Sequence, residues 1–155
     1  MTSSRKRARP GDVIEVVTPS GLAYVQYVGK HPKYGDAIRV LPGFFQEQPR
    51  DWSALLAQEG YVTFYPLNAA VSQELVTVAA SEAILPGKGM PSVWRRAGWR
   101  NEDGKAVLWF ICEGDKETRR PGLSEEEKRL PIMAIWNHEF LVTRMVGEWR
   151  PERDS

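Results

Sequence analysis

This chain of 155 residues has a single cysteine, Cys112, so no intrachain disulfide is available to it. Cys112 sits inside the apolar run Val107-Leu108-Trp109-Phe110-Ile111-Cys112 with no basic neighbour to lower its pKa, which marks it as a small buried hydrophobe rather than a reactive thiol. Histidine is nearly as scarce. His31 and His138 are the only two, and neither belongs to a His-Glu-x-x-His or Cys-x-x-Cys spacing, so no zinc or other metal site and no bound cofactor is expected. No Gly-x-Ser-x-Gly element is present, and Gly87-Lys88-Gly89 lacks the flanking pattern of a phosphate loop. No apolar run approaches the roughly 20 residues that a membrane-spanning helix needs. Residues 1–10 lack the apolar core of an export signal, so a cytoplasmic location is the expectation, without membrane contact. Repeats and low-complexity tracts are missing as well.

Excess charge of either sign is also lacking, since the formal net charge is +1. The balance is uneven, because Arg5, Lys6, Arg7 and Arg9 stand in the first nine residues. Setting those four aside leaves 17 basic against 20 acidic residues, a body charge of −3, which argues against a general polyanion binder. With 42% hydrophobic and 26% charged residues, the composition is that of a globular protein. Residues 1–9 read as a disordered basic arm, residues 10–150 as one β-rich globular domain, and residues 151–155 as a polar tail.

What is abundant is β-branched and aromatic sequence cut by turns. Residues 11–45 give two strand-like runs joined through Pro19-Ser20-Gly21 and a third after Gly35-Asp36, a three-stranded meander. Tyr24, Gln26 and Val28 share one face of the second run, and Val25 and Tyr27 share the other. Both faces carry apolar residues, as in a small barrel. Asp51 is placed to cap a short helix over residues 52–59, with Trp52, Leu55 and Leu56 on one side and Gly60 at its end. Further strands are expected at residues 61–65 and 74–79, with a single helical turn between them. Residues 84–91, rich in Pro and Gly, mark a junction. Beyond it a hairpin turns at Asp103-Gly104, residues 113–122 read as a charged loop, and Ser124 with Glu127 forms a capping box. Residues 140–146, rich in valine and threonine, read as a closing strand. The expected fold is α+β and mainly β: a curled antiparallel sheet or SH3-like small barrel with one or two short helices.

Two segments carry recognition chemistry. Trp94-Arg95-Arg96-Ala97-Gly98-Trp99-Arg100 interleaves aromatic and guanidinium groups, the composition of protein interfaces and of single-stranded nucleic-acid grooves. Glu113, Asp115 and Glu117 begin an acidic region extending to Glu127, suited to a basic partner surface. No separated carboxylate pair marks acid/base catalysis, so the chain reads as a non-enzyme, with a hydrolase that uses this acidic region as a further, less favoured alternative. The candidate partner-binding residues are therefore Trp94, Arg95, Arg96, Trp99, Arg100, Glu113, Asp115 and Glu117.

Two parts of the chain resemble the bacterial immunity protein 26 family. The first is Pro10-Gly11-Asp12-Val13-Ile14-Glu15-Val16 with Pro19-Ser20-Gly21 and Ala23-Tyr24-Val25-Gln26-Tyr27-Val28. The second runs from Leu130-Pro131-Ile132 through Ile135-Trp136-Asn137 to Glu139-Phe140-Leu141-Val142-Thr143-Arg144-Met145. Residues 46–100 lie outside the resemblance. The likeness implies a non-enzymatic domain that binds and neutralises a cognate protein toxin of a polymorphic toxin system. A small β-barrel that binds nucleic acid is the alternative expectation.

Overall fold

The structure is a computed structural model that describes residues 7–154. Strands β1 (Asp12–Thr18), β2 (Gly21–His31) and β3 (Gly35–Val40) form the expected antiparallel meander. Its first turn is closed by Thr18, whose Oγ1 donates to the Gly21 carbonyl at 2.7 Å and accepts from the Ser20 N–H at 3.1 Å. Register shifts between Val13 and Ile14 and between Tyr27 and Gly29 bend the sheet. β4 (Tyr61–Phe64) adds beside β3 and β5 (Thr77–Ser81) beside β1, giving the order β4-β3-β2-β1-β5.

Alternation along these strands divides the apolar residues between two faces. Val13 and Tyr24 pack with Trp52, Leu55 and Leu56 of the short helix α1 (Ser53–Leu56). Asp51 accepts from the Ser53 N–H at 2.9 Å, but Trp52 is the N-cap and the helix ends at Leu56, short of the expected span over residues 52–59 closed by Gly60. Ile14, Val16, Val25, Tyr27 and Ile38 line the opposite face and pack with Leu67 and Val71 of α2 (Leu67–Ser72) and with Leu141 and Met145 of α3 (His138–Val146). Asp36 ties this side together: its carboxylate accepts from Tyr27 Oη at 2.7 Å and from the Asn68 N–H at 3.2 Å.

A second antiparallel sheet follows the Pro/Gly-rich junction, in the order β6 (Val93–Arg100), β7 (Ala106–Glu113), β8 (Lys116–Arg120). Trp94 and Cys112 on one of its faces pack against Val28, Ala37 and Phe64 of the first sheet. The Trp94 and Phe64 rings stack with centroids 4.6 Å apart. Residues 131–136 strap the two sheets together. Pro131 and Met133 bond to the backbone of Arg95 at 2.9 and 2.8 Å, and Ala134 and Trp136 bond to that of Phe64 at 3.3 and 2.9 Å.

Several expectations are corrected. Residues 140–146 lie in α3 and form no closing strand. Asn137 caps this helix by accepting from the Phe140 N–H at 2.7 Å, Glu139 and Arg144 complement its dipole, and Leu141 and Met145 bury one side; capping and burial outweigh the strand propensity of Val142 and Thr143. The charged loop at 113–122 contains β8, because Gly114 turns with φ +61° and folds Lys116–Arg120 back onto β7. Among the described residues there are three short α-helices, in keeping with the mainly β α+β fold expected, and α2 runs beyond the single turn expected. β5 starts later than residue 74, since Glu74 has φ 60° and ends the α2 turn.

Residues 151–154 of the expected polar tail are packed in place. Pro151 is buried, and the carbonyls of Pro151 and Asp154 accept from Arg95. In the basic arm, Ala8 is buried and its N–H donates to Asn68 Oδ1 at 2.7 Å, while Arg5 and Lys6 lie outside the described residues. Among the described residues, no helix is long and apolar enough to cross a membrane.

Candidate partner-binding surface

The Trp-Arg segment does not act as one surface, because strand alternation sends its side chains to opposite faces of β6. Trp94 is only 4% exposed, stacked on Phe64 with its Nε1 donating to the Pro91 carbonyl at 3.0 Å. Arg95 is fully buried: its guanidinium lies 4.2 Å from the Trp109 ring centroid and donates to the carbonyls of Lys128, Leu130, Pro151 and Asp154. Burial pushes the Arg95 guanidinium down to about 10, with Asp154 partly opposing the shift. These two expected contact residues are therefore scaffold. A residue with every polar atom engaged inside the fold has nothing to offer a partner.

The other expected residues reach the surface. Arg96 lies over Phe110 and makes 3.0 and 3.2 Å bonds to the carboxylate of Glu117. Glu113 and Asp115 are exposed at the β7–β8 turn. Trp99 is 63% exposed. Arg100 lies on the Trp109 side of the sheet and holds Asp154 through its two terminal guanidinium nitrogens, at 3.0 and 2.9 Å.

Arg100 and Asp154 stand on the rim of a groove of about 320 Å³ that is walled by Ile132, Ile135, Trp136, Phe140, Arg144 and Trp149. α3 places Phe140 and Arg144 one turn apart, so both side chains lie on the same stripe. After Gly147 the chain reverses through Glu148 at φ 52°, and the Trp149 N–H bonds to the Arg144 carbonyl at 3.0 Å. That reversal brings Trp149 edge-on to Trp136 and to Tyr61, each at 5.2 Å between centroids.

The Arg144 guanidinium sits inside this aromatic ring, with its central carbon 4.2 Å from the Trp149 centroid, 4.4 Å from Phe140 and 5.1 Å from Trp136. Its nitrogens make no hydrogen bond or ion pair among the described residues. Burial lowers its pKa, partly offset by Asp154 and Tyr61. Tyr61 Oη is likewise buried without a partner among the described residues, and burial raises that phenol. Around the groove's mouth, Ile135 is 59% and Phe140 40% exposed.

A wider cleft of about 890 Å³ runs between β4 and the 84–91 junction. Its charges are largely answered already. Lys88 pairs with Glu59 at 3.4 Å, Arg150 pairs with Glu152 at 3.5 Å, and buried Arg39 donates to the carbonyls of Leu56 and Gln58 at 2.7 and 3.0 Å.

The groove residues Trp136, Phe140, Arg144 and Trp149 escaped selection from the sequence. Reading residues 140–146 as a strand set Phe140 and Arg144 apart from Trp149, although the i, i+4 spacing after the Asn137 cap was the signal for a helix. Both histidines are structural: His31 Nδ1 accepts from the Lys33 and Tyr34 N–H groups at 3.0 and 3.2 Å, and His138 Nδ1 lies 2.8 Å from Tyr65 Oη. Burial pushes the Cys112 thiol up, and Glu117 adds to the shift. Among the described residues, no group of three or more His, Cys, Asp or Glu is arranged to hold a metal ion.

No family model matches the chain, and no match is found among curated proteins or among solved structures.

Proposed function

We propose that this chain is a non-enzymatic binding protein that docks a partner protein over the groove beside α3, and that the partner is a bacterial toxin which it neutralises. The observation that carries the binding part is the unpaired Arg144 guanidinium in its aromatic ring, with Ile135 and Phe140 exposed beside it. Trp, Tyr and Arg dominate interface energetics when apolar neighbours exclude water around them. The toxin part rests on the resemblance of residues 10–28 and 130–145 to immunity proteins. It carries with it a cytoplasmic site of action, where a toxin would be blocked before it reaches its target.

The nucleic-acid alternative finds less support. Arg96 and Arg100, the surface arginines of the Trp94–Arg100 segment that would join the basic arm of Arg5 to Arg9 in it, are each engaged by a carboxylate. Phosphate tracking needs cations free to displace counterions.

The test is co-expression with the protein encoded beside this gene. A toxin from that neighbourhood should co-purify with the chain and lose its toxicity. The double variant Ile135→Asp, Phe140→Asp should abolish both effects while the fold survives, because both side chains already face solvent. Finding no complex at micromolar concentrations and no protection would overturn the proposal.

A further inference from the structure

We propose that the Arg144 guanidinium is a receptor for a single carboxylate, an Asp or Glu side chain of the partner that is flanked by an apolar residue. This rests on the reading of the groove as a docking surface and names the chemistry of what docks there. A guanidinium carries five N–H donors, and ring faces compensate its charge without offering those donors a proper acceptor. In Arg144 the charge is met by three rings and the donors by nothing among the described residues. The rings also fix the orientation of the guanidinium plane, so little freedom remains to be lost when a carboxylate approaches its forked edge.

The chain does not supply that acceptor itself. Asp154, whose charge reaches Arg144, is held in a two-point contact by Arg100 at 3.0 and 2.9 Å. With Arg100 neutralised, the groove presents one uncompensated positive charge. That charge matches a singly charged carboxylate better than a doubly charged phosphate group, which the Asp154 carboxylate would repel more strongly. The apolar walls lower the local dielectric and strengthen a pair formed between them. Exposed Ile135 and Phe140 give the residue next to the acid an apolar seat.

The experiment titrates the full chain with two acetylated, amidated peptides, Asp-Leu and Asn-Leu, following the Arg144 Nε–H resonance and indole fluorescence. The Asp peptide should give a saturable shift, and the Asn peptide should bind about tenfold more weakly or worse, the loss of one charge-assisted contact. Arg144→Lys keeps the positive charge and loses the fork, so it should bind the Asp peptide more weakly and narrow that discrimination while circular dichroism stays native. Equal binding of the two peptides overturns the proposal without any variant having to fold. Inorganic phosphate binding as tightly as the Asp peptide also overturns it. If Arg144→Lys holds a neighbouring toxin with unchanged affinity, the carboxylate receptor fails and toxin neutralisation stands. Discrimination between the peptides with no toxin partner gives the reverse.

Discussion

The central carbon of the Arg95 guanidinium lies 4.2 Å from the centroid of the Trp109 ring, and its nitrogens reach the backbone of two separate segments. It donates to Lys128 and Leu130 just before the strap, and to Pro151 and Asp154 in the C-terminal turn. Its own N–H and carbonyl bond to Pro131 and Met133. One side chain thus fastens β6 to two stretches that have little regular structure of their own.

Arg95→Met should therefore cost about 3 to 5 kcal/mol, because it leaves buried carbonyls without donors and removes the cation from the indole face. Arg95→Lys should recover little of this, since one ammonium cannot span four acceptors. Chemical denaturation checks both variants. Deleting residues 151–155 removes two of the acceptors, so Arg95→Met should cost less in that background. Additive losses in the double-mutant cycle would show that Arg95 does not act through the C-terminal turn.

Much of the scaffold was legible because it is local. The meander follows from alternation and from Pro-Ser-Gly. The Ser124–Glu127 capping box forms as read, with reciprocal bonds of 2.9 and 3.1 Å. Cys112, Trp52, Leu55 and Leu56 are buried as their apolar surroundings required. What stayed hidden depends on groups brought together from distant segments. Nothing near Arg95 in sequence reveals four carbonyls waiting for it, so an arginine beside tryptophan reads as surface. Lys116–Arg120 has the composition of a loop, and it becomes a strand because the neighbouring edge of β7 needs a partner. The groove brings Arg100 of β6 and Ile132 of the strap to Trp136, Phe140, Arg144 and Trp149, and no short window of sequence joins those segments.

Gly60 and Gly98 should respond differently to alanine. A Cβ on Gly60 would collide with the Val40 carbonyl oxygen, a backbone atom fixed in the β3–β4 region. Gly60→Ala should destabilise by about 3 kcal/mol. A Cβ on Gly98 would meet Phe110 Cε2 at 2.7 Å, a ring edge that can turn aside, so Gly98→Ala should cost less. Thermal unfolding of the two variants gives the order, and a reversed order would mean that β3 yields more easily than the Phe110 ring.

Stability should form a plateau bounded on the acid side by His138 and on the alkaline side by tyrosine. Burial lowers His138 below its ordinary 6.5, so its neutral form is favoured in the fold. That contribution is present above about pH 6.5 and is lost as the pH falls below it, where the unfolded chain takes up the proton more readily. Burial raises Tyr65 from 10 to about 12, and burial with the Asp36 bond raises Tyr27 from 10 to about 12. Their contribution is full below pH 10 and is lost as the pH rises through 12. Urea titrations across pH should show both edges, and Tyr65→Phe should shrink the alkaline loss. Tyr27 and Tyr65 ionising near pH 10 in the folded protein would contradict the alkaline edge.

Trp99 separates packing from recognition. At 63% exposed it contributes little to the core, so Trp99→Ser should change folding stability by no more than about 0.5 kcal/mol. Its neighbour Arg100 is tied to Asp154 on the rim of the Arg144 groove, which places β6 beside the proposed docking surface. If the partner covers that rim, Trp99 is buried in the complex, and Trp99→Ser should weaken binding by about 2 kcal/mol, the scale of an interface hot spot. Calorimetry of the toxin complex measures this directly. A complex indifferent to Trp99→Ser but lost on Phe140→Asp would confine the contact to the α3 side of the groove, away from the β6 hairpin.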